Sequence, residues 1–273
     1  SYISAPILLA AAAMHIPCMT HEANALPGVS NRMVAQKVDK FLIAVPEAEK
    51  RLPPRSDYIV TGNPVRPEIL AADRKAARAR LGVLPEQVCL LSFGGSLGAQ
   101  TINEAVADLM AWHVPEGKLH HIHATGRYGV ELLPELLRQK GVAFENNPNL
   151  DIRDYIHDMP DCLAAADLVI ARAGAMTLAE LTAVGRASVL IPSPNVAENH
   201  QYHNAMVLAN HHAAVVIEEK ELTGEKLVET VRALTADPER LRELGFAAKT
   251  LGVPDACAHI TDELQKLYAE HKK

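Results

Sequence analysis

The chain has 273 residues, 48% of them hydrophobic and 22% charged, a composition typical of a globular protein with a sizeable core. This length suits two α/β domains better than one. The formal net charge is -6 and only 4% of the residues are aromatic. Because nucleic-acid binding needs a basic surface or exposed stacking rings, these values argue against a nucleic-acid partner. They remain compatible with a phosphate-bearing small ligand, which needs only a few local donors.

The N-terminal segment is apolar from Ala5 to Met14. No basic stretch precedes it, and it is shorter than the ~20 residues that a bilayer span requires. We therefore predict a buried helix that starts after Pro6. The ordered pattern begins at once, so we expect further residues upstream of Ser1.

Short apolar runs then alternate with longer amphipathic stretches, a pattern typical of a parallel α/β sheet. The predicted strands are Pro17–Thr20, Lys40–Ala44, Tyr58–Thr61, Val88–Ser92, Leu119–Ala124, Leu168–Ala171, Ser188–Ile191 and Ala214–Ile217. The predicted helices are Asp73–Leu81, Ala99–Met110, Gly129–Lys140, Met159–Ala165, Ala175–Val184, Asn199–Asn210, Gly224–Ala236, Pro238–Thr250 and Asp255–Ala269. The basic run from Arg74 to Arg80 is expected to be a solvated helix face. Two prolines and a glycine between Thr61 and Pro67 favour extended chain, so we place the crossing between two domains there.

A glycine-rich turn follows the strand that begins at Val88. Gly94, Gly95, Ser96 and Gly98 lead directly into an amphipathic helix. Glycine permits positive φ and close ligand approach, and a helix start presents unpaired N–H groups, so this turn is a candidate phosphate site. It matches neither the dinucleotide fingerprint nor a Walker loop. A tight turn without a ligand is the alternative.

A second strand, turn and helix cover residues 167–180. Thr177 and Glu180 are three residues apart on one helix face, and helical side chains lean toward the N-terminus. Glu180 is therefore a candidate for binding vicinal sugar hydroxyls of a ligand whose phosphates lie at the turn at Gly174 and Ala175. The alternative role for Glu180 is an exposed partner of the helix dipole.

Polar side chains also follow two further strands. Gln201 and Asn204 share a helix face, and amides can donate to and accept from sugar hydroxyls; a polar helix face is the alternative. His21 and Glu22 could form an acid/base pair, but neighbours at a strand end point in different directions. Asn24 is therefore the better candidate for reaching into a cleft.

The cysteines and histidines give no metal motif. Cys18, Cys89, Cys162 and Cys257 lie far apart without a Cys-x-x-Cys pair, which predicts buried, reduced thiols of a cytosolic protein. Among the thirteen histidines, those at 121 and 123 share one face of a predicted strand, but no third ligand has a suitable spacing. We predict structural roles for them.

Six segments, in this order, resemble the MurG family of bacterial transferases, which add N-acetylglucosamine (GlcNAc) to lipid I in peptidoglycan synthesis. They are His21-Glu-Ala-Asn24, Gly62-Asn-Pro-Val-Arg66, Gly94-Gly-Ser-Leu-Gly-Ala99, Tyr155-Ile156 with Met159, Ala173-Gly-Ala-Met-Thr-Leu-Ala-Glu180, and His200-Gln201 with Asn204-Ala205. The resemblance covers nearly the whole chain. Six motifs in this order identify the family more specifically than any one of them alone.

The resemblance implies an α/β fold of GT-B type, with two Rossmann-like domains facing a cleft and the N-terminal one incomplete. Residues 1–66 would form the partial acceptor-side domain, on which the C-terminal helix 255–273 packs back, and residues 67–254 the UDP-GlcNAc-binding domain. Ile156 would meet the uracil through its backbone, Glu180 the ribose hydroxyls, and Gln201 the GlcNAc hydroxyls. Ser96 would contact a phosphate. The donor-binding residues implied in this way are Asn24, Arg66, Ser96, Ile156, Ala175, Met176, Thr177, Leu178, Ala179, Glu180 and Gln201.

The chain departs from the family pattern at its start. MurG-like proteins begin with a strand and a Gly-Thr-Gly-Gly-His type loop on the acceptor side, whereas this sequence first matches a helix that follows later. The candidate histidine base is therefore expected upstream of Ser1, and no catalytic base is assigned. The apolar helix from Ile7 to Met14, with Arg32, Lys37 and Lys40, is a candidate remnant of a membrane-facing side, or a core helix and a solvated face.

The implied reaction is inverting transfer of GlcNAc from UDP-GlcNAc to the muramoyl C4 hydroxyl of lipid I, which gives lipid II. The implied partners are UDP-GlcNAc, lipid I and the cytoplasmic face of the bacterial inner membrane, to which the protein would bind peripherally. No metal or cofactor is expected. The alternatives are another GT-B enzyme, such as a UDP-GlcNAc 2-epimerase or a glycolipid glycosyltransferase, or a chain that binds UDP-GlcNAc without turnover.

Overall fold

A computed structural model describes residues 2–272 and contains two parallel β-sheets. The first sheet has the order β1 (Met19–Glu22), β2 (Lys40–Ile43), β3 (Tyr58–Val60). Phe41, Leu42 and Ile43 are fully buried, because helices lie on both sides of the middle strand. The helices of this region are α1 (Ser4–Ala13) and α2 (Val29–Val34), followed by a 3-10 helix at Pro46–Arg51.

The second sheet has six strands in the order β6-β5-β4-β7-β8-β9. They are β4 (Val88–Phe93), β5 (Leu119–Ala124), β6 (Leu150–Arg153), β7 (Leu168–Ala171), β8 (Ala187–Leu190) and β9 (Val215–Val216). The chain first adds strands on one side of β4 and then returns to add the remaining strands on its other side, starting with β7. The order therefore reverses between β4 and β7, and ligands of open α/β sheets bind at such a point.

Helices cover both faces of this sheet, which explains why β7 and β8 are continuous apolar runs that are buried along their whole length. These helices are α3 (Pro67–Ala71), α4 (Arg74–Arg80), α5 (Gln100–His113), α6 (Leu132–Gln139), α7 (Met159–Ala165), α8 (Ala175–Val184), α9 (His200–Asn210), α10 (Gly224–Thr235) and α11 (Pro238–Leu251). Within residues 2–272, no helix combines the length and apolar character that a bilayer span requires.

The chain crosses between the sheets twice. It leaves the first sheet after β3 and returns after α11, where a Cβ added at Gly62 would lie 2.6 Å from the Cβ of Val253. The last helix, α12 (Ala256–Glu270), then contacts β2. The Lys40 Nζ lies 2.8 Å from a Glu263 carboxylate oxygen, and both side chains are largely buried. The C-terminal helix thus packs against the sheet that the N-terminal part of the chain forms.

The predicted α/β class and parallel pairing are confirmed, and the predicted elements lie within three residues of the observed ones. Strands Leu119–Ala124 and Leu168–Ala171 and helices Met159–Ala165 and Ala175–Val184 have the predicted bounds. Among residues 2–272, one strand, two α-helices and the 3-10 helices such as Pro46–Arg51 were not predicted. The edge strand β6 alternates charged and apolar residues that are only half-buried, and α2 and α3 have at most six residues each.

Three expectations about burial were wrong. Helix α1 starts at Ser4, before Pro6, and is not a buried helix: only Ala5 is buried, whereas Ile7 is 64% exposed and Met14, directly after the helix, is 70% exposed. Its apolar residues surround the whole helix, but among residues 2–272 it packs mainly on α2. All four cysteines are free, as predicted, yet Cys257 is exposed. Arg78, in the basic helix α4, is largely buried against Asp167 rather than solvated.

Candidate functional site

A cleft of about 610 Å³ opens at the carboxyl ends of β4, β7 and β8. It lies at the point where the strand order reverses, because Phe93 at the end of β4 pairs with Ala171 at the end of β7. Its lining comprises residues 93–101, Arg172, Gly174, Thr177, Ser193, Asn195, Gln201 and Glu219. The two glycine turns predicted from the sequence therefore open into one cleft.

The first turn is the glycine-rich loop, residues 94–98. Gly95 and Gly98 have φ of +95° and +84°, values that other residues rarely adopt. A Cβ at Gly98 would lie 2.3 Å from the Thr125 carbonyl oxygen, so only glycine fits. No side chain caps the start of α5, which leaves its first N–H groups open to a ligand. Thr101, in that first turn, also lines the cleft.

The second turn starts α8. Gly174 is its N-cap in an extended conformation, and again no side chain caps the helix. Two helix starts thus direct their partial positive charge into one cleft, an arrangement that favours an anion with several oxygens. Thr177 lies in the cleft, one turn along α8. A diphosphate matches the chemistry of these two N–H clusters.

Glu180, one turn further along α8, forms an ion pair with Arg66, the residue that precedes α3. The Arg66 Nη2 lies 3.1 Å and its Nε 3.3 Å from Oε1 of the carboxylate. Burial raises the pKa of Glu180, and the Arg66 guanidinium opposes that shift. Both Arg66 bonds go to Oε1, so Oε2 is left as an acceptor for a further donor such as a hydroxyl.

The floor of the cleft contains an ion pair, Arg172 with Glu219, that was not predicted from the sequence. The Arg172 Nη1 donates to the Ile191 carbonyl over 3.1 Å, and the guanidinium pairs with Glu219. The Oε1 atom of Gln201 accepts from the Ser193 N–H over 2.9 Å, which fixes the amide at the cleft wall. A charged residue at position 172, directly after an apolar strand and before the glycine turn, was the available signal.

Asn24 lies where the two halves of the molecule meet, that is, where the part built around the first sheet contacts the part built around the second sheet. Its Oδ1 accepts from the Nδ2 of Asn204 over 3.0 Å, and the Asn204 Oδ1 accepts from the Ala25 N–H over 2.9 Å. Asn204 is buried. Both amides are thus used in a contact between the halves, and neither residue is among those that line the 610 Å³ cleft.

His21 and Glu22 have separate partners. The carboxylate of Glu22 is buried and accepts from the Asn24 N–H and side chain, the Gly28 N–H and the Asn31 side chain. The Nε2 of His21 lies 2.9 Å from the Gly62 carbonyl oxygen, and burial lowers the pKa of this imidazole. Glu22 therefore organises the loop after β1, and the two side chains do not form an acid/base pair.

The remaining predicted donor-binding residues lie in different environments. Ile156 is 4% exposed and belongs to the apolar core, whereas Met176 is 47% exposed. Ala175, Leu178 and Ala179 line a separate narrow cavity of about 60 Å³ between the two halves. Of the predicted set, Ser96, Thr177 and Gln201 line the larger cleft directly.

Three buried histidines, at 113, 121 and 123, are hydrogen-bonded to one another or to neighbouring side chains, whereas neither ring nitrogen of the buried His120 has a partner among residues 2–272. His121 and His123 do share a strand face, because both imidazoles lie within hydrogen-bonding distance of the Ser92 hydroxyl. Burial lowers the pKa of His123 to about 3 and of His113 to about 4, so these imidazoles are neutral at pH 7. Among residues 2–272, no three His, Cys, Asp or Glu side chains come together as possible metal ligands.

This fold, with its cleft at the switch point, is that of the GT-B glycosyltransferases. A MurG crystal structure from Acinetobacter baumannii is 29% identical, with a TM-score of 0.77, over 97% of this chain and 71% of that one. A second solved structure, Anabaena Alr3699/HepE in complex with UDP and glucose, shares the fold alone at 15% identity, with a TM-score of 0.62 over 97% of this chain and 76% of that one.

The sequence comparisons give the family. The model of the glycosyltransferase family 28 C-terminal domain matches residues 89–260, and that of the N-terminal domain matches residues 1–43. UDP-N-acetylglucosamine--N-acetylmuramyl-(pentapeptide) pyrophosphoryl-undecaprenol N-acetylglucosamine transferases from Desulforamulus reducens and Bacillus subtilis are 38% and 39% identical, over 97% of this chain and 72% of each relative. The chain belongs to this MurG family of N-acetylglucosaminyltransferases.

Proposed function

We propose that this chain transfers GlcNAc from UDP-GlcNAc to the muramoyl C4 hydroxyl of lipid I. The observation that carries the proposal is the convergence of the glycine-rich loop and the start of α8 on one cleft of about 610 Å³. Two uncapped helix starts suit the two phosphates of one nucleotide diphosphate. The family membership then supplies the sugar and the acceptor.

The chemistry proposed for the cleft is electrostatic. The acceptor hydroxyl attacks the anomeric carbon in line and gives up its proton to a general base or to solvent. The bond from that carbon to the β-phosphate oxygen breaks with inversion, and its electron pair leaves with UDP. Charge grows on the leaving diphosphate, and the N–H groups at the start of α8 stabilise it without reorganisation. Thr177 and Ser96 line the same cleft and supply hydroxyl donors.

The proposed contacts to the rest of the donor follow the same geometry. The free Oε2 of Glu180 accepts a ribose hydroxyl while Arg66 stays bound to Oε1. Gln201, fixed by the Ser193 N–H, offers its Nε2 to the GlcNAc hydroxyls. We propose that the backbone at Ile156 meets the uracil, that Ala175, Met176, Leu178 and Ala179 shape the helix start, and that Asn24 supports the cleft from the opposite side.

We also propose the domain division at residues 66 and 67, with the last helix packed on the N-terminal part. The contact of α12 with β2 supports it. A polyprenyl-linked acceptor requires access to a membrane surface, so we propose peripheral binding at the cytoplasmic face of the bacterial inner membrane. The exposed apolar side chains of Ile7 and Met14 support that placement.

Calorimetry with UDP tests the donor site. Glu180→Ala should weaken UDP binding about tenfold or more, because a hydrogen bond to a charged acceptor is worth ~1.5–3 kcal/mol. Glu243→Ala is the matched control, since this glutamate is exposed on α11 and pairs with Arg240 on its own helix. Equal affinity of wild type and Glu180→Ala would defeat the assignment of Glu180.

A product assay with labelled UDP-GlcNAc tests the reaction. The proposal predicts lipid II when lipid I is supplied and no change of UDP-GlcNAc without it. Formation of UDP-ManNAc in the absence of acceptor would identify a 2-epimerase instead. UDP-GlcNAc binding without either product would identify a chain that binds the donor and does not turn it over.

A further inference from the structure

A buried chain of hydrogen bonds runs beneath the glycine-rich loop. The Nδ2 of Asn103 donates to the Thr125 carbonyl over 3.0 Å, and the Oδ1 of Asn103 lies 3.0 Å from the Nε2 of His123. The Nδ1 of His123 lies 2.6 Å from the Ser92 hydroxyl. All four residues are at most 2% exposed. This hydrogen-bond chain thus links β4, β5 and the first turn of α5.

The hydrogen-bond chain continues away from the cleft through two more histidines. The Ser92 hydroxyl lies 2.7 Å from the Nε2 of His121, whose Nδ1 lies 3.1 Å from the Nε2 of His113. The Nδ1 of His113 has no partner among residues 2–272. Five polar side chains from different parts of the sequence are therefore hydrogen-bonded one to the next within the buried core.

The direction of every bond follows from the Asn103 end. Because the Asn103 amide nitrogen donates to Thr125, its oxygen must accept, so His123 carries its proton on Nε2. The His123 Nδ1 then accepts from the Ser92 hydroxyl, which in turn accepts from the Nε2 of His121. By the same reasoning His121 accepts from His113 at Nδ1. All bonds point toward Thr125, and each neutral imidazole has one defined tautomer.

We propose that Ser92, His123 and Asn103 are positioning residues that hold the glycine-rich loop in its diphosphate-binding form. The link is the Thr125 carbonyl, the same oxygen that lies against Gly98, where a Cβ would be 2.3 Å away. Asn103 also follows the loop by only five residues and lies in the first turn of α5. Rotation of its amide would therefore break the bond to the Thr125 carbonyl, which ties the first turn of α5 to the backbone beneath Gly98.

The composition of this core supports a positioning role. Buried polar groups cost desolvation unless each one is paired, and apolar side chains would fill the same space without that cost. The hydrogen bonds that run without a break from the Nε2 of His113 to the Thr125 carbonyl, in contrast, fix one arrangement of the groups they connect. The inference rests on the proposed donor site, because it concerns the loop that binds the diphosphate there.

The test compares two buried serines in the same sheet. Ser92→Ala interrupts the chain, whereas Ser188→Ala removes a fully buried hydroxyl on β8 that has no hydrogen-bond partner among residues 2–272. UDP dissociation constants are measured by calorimetry at a temperature where circular dichroism shows both variants folded. We expect Ser92→Ala to raise the dissociation constant about tenfold, since displacements of about 1 Å have large effects on such sites. Ser188→Ala should bind UDP like the wild type, and Ser92→Thr, which keeps the hydroxyl, should restore most of the affinity.

A steady-state assay measures the KM for each substrate separately, and a loss of stability alone would not change one KM without the other. Ser92→Ala should raise the KM for UDP-GlcNAc while the KM for the lipid acceptor stays within twofold. Equal UDP affinity of Ser92→Ala and Ser188→Ala would overturn the positioning role. Absence of UDP binding by the wild type would instead overturn the proposed function.

A measurement on the wild type covers the case in which Ser92→Ala does not fold. ¹⁵N NMR of the imidazoles should show His123 protonated at Nε2 and not at Nδ1, with a resonance that shifts when UDP is added. The exposed His259 imidazole provides the control and should show no UDP-dependent shift. A His123 proton on Nδ1, or a His123 resonance that does not shift when UDP is added, would overturn the proposal.

Discussion

Gly98 offers a sharp perturbation of the glycine-rich loop. Gly98→Ala places a methyl group at φ +84° and 2.3 Å from the Thr125 carbonyl oxygen. Gly82→Ala is the matched control, because Gly82 has φ +70°, follows α4 outside the cleft, and has no atom within 4 Å of the added Cβ. The two substitutions share the backbone strain and differ only in the collision.

The geometry gives the size of the effect. An alanine in the left-handed region costs ~1–2 kcal/mol in either variant. Ordinary contact begins at 3.4 Å, so the Gly98 variant must open the distance to Thr125 by 3.4 - 2.3 = 1.1 Å. A misplacement of about 1 Å can cost ~100-fold in rate. We therefore expect Gly98→Ala to lose about 100-fold in kcat/KM, with a clear loss of UDP affinity.

Urea unfolding and UDP calorimetry separate the two effects. Both variants should lose ~1–2 kcal/mol of stability from strain, with an additional loss for Gly98→Ala from the collision. Only Gly98→Ala should lose UDP affinity. A folded Gly98→Ala protein that binds UDP as tightly as Gly82→Ala would refute the idea that this loop holds the diphosphate.

Two further predictions concern stability. The free energy of unfolding should fall as pH drops below 6.5, because the unfolded chain then binds protons at histidines that burial keeps neutral in the folded protein, His113 down to about 4 and His123 down to about 3. The loss should reach ~1.4 kcal/mol per pH unit for each such histidine, and identical urea midpoints at pH 7 and pH 5 would contradict it. Asp167→Ala should cost ~2–3 kcal/mol, because its carboxylate accepts from two arginines of α4 and from the Cys89 N–H. Asp108→Ala, which removes a partly exposed pair with Lys140, should cost under ~1 kcal/mol; equal losses for the two aspartates would be inconsistent with this account.

The local features of the donor cleft could be predicted from the sequence. Strand, glycine turn and helix start are encoded within about ten residues each, so the turns at 94–98 and 174–177 and the bounds of α8 were available without the fold. The parallel α/β class followed from the alternation of short apolar runs and amphipathic stretches, because each pattern has its own period. The six ordered motifs supplied the family resemblance, and with it the candidate role of Ile156, whereas Gln201 was already a candidate because its amide lies at a helix start after a strand.

Features that depend on neighbours distant in the chain could not be predicted in this way. Arg78 looked solvated because its helix is basic, yet Asp167, far along the chain, neutralises it in the folded protein. The exposure of α1 depends on what packs against it, and its own composition indicated only that it is apolar. The contact between Asn24 and Asn204 and the histidine chain beneath the loop likewise join residues from separate elements.

The sequence by itself determined that two glycine turns each begin a helix, because backbone freedom and helix-start chemistry are properties of short segments. Only the tertiary structure decided that both turns open into one cleft. That outcome requires β7 to pair with β4 although β5 and β6 come between them in the chain. Strand order is set by which apolar faces can be buried together across the whole sheet, and no local pattern records it.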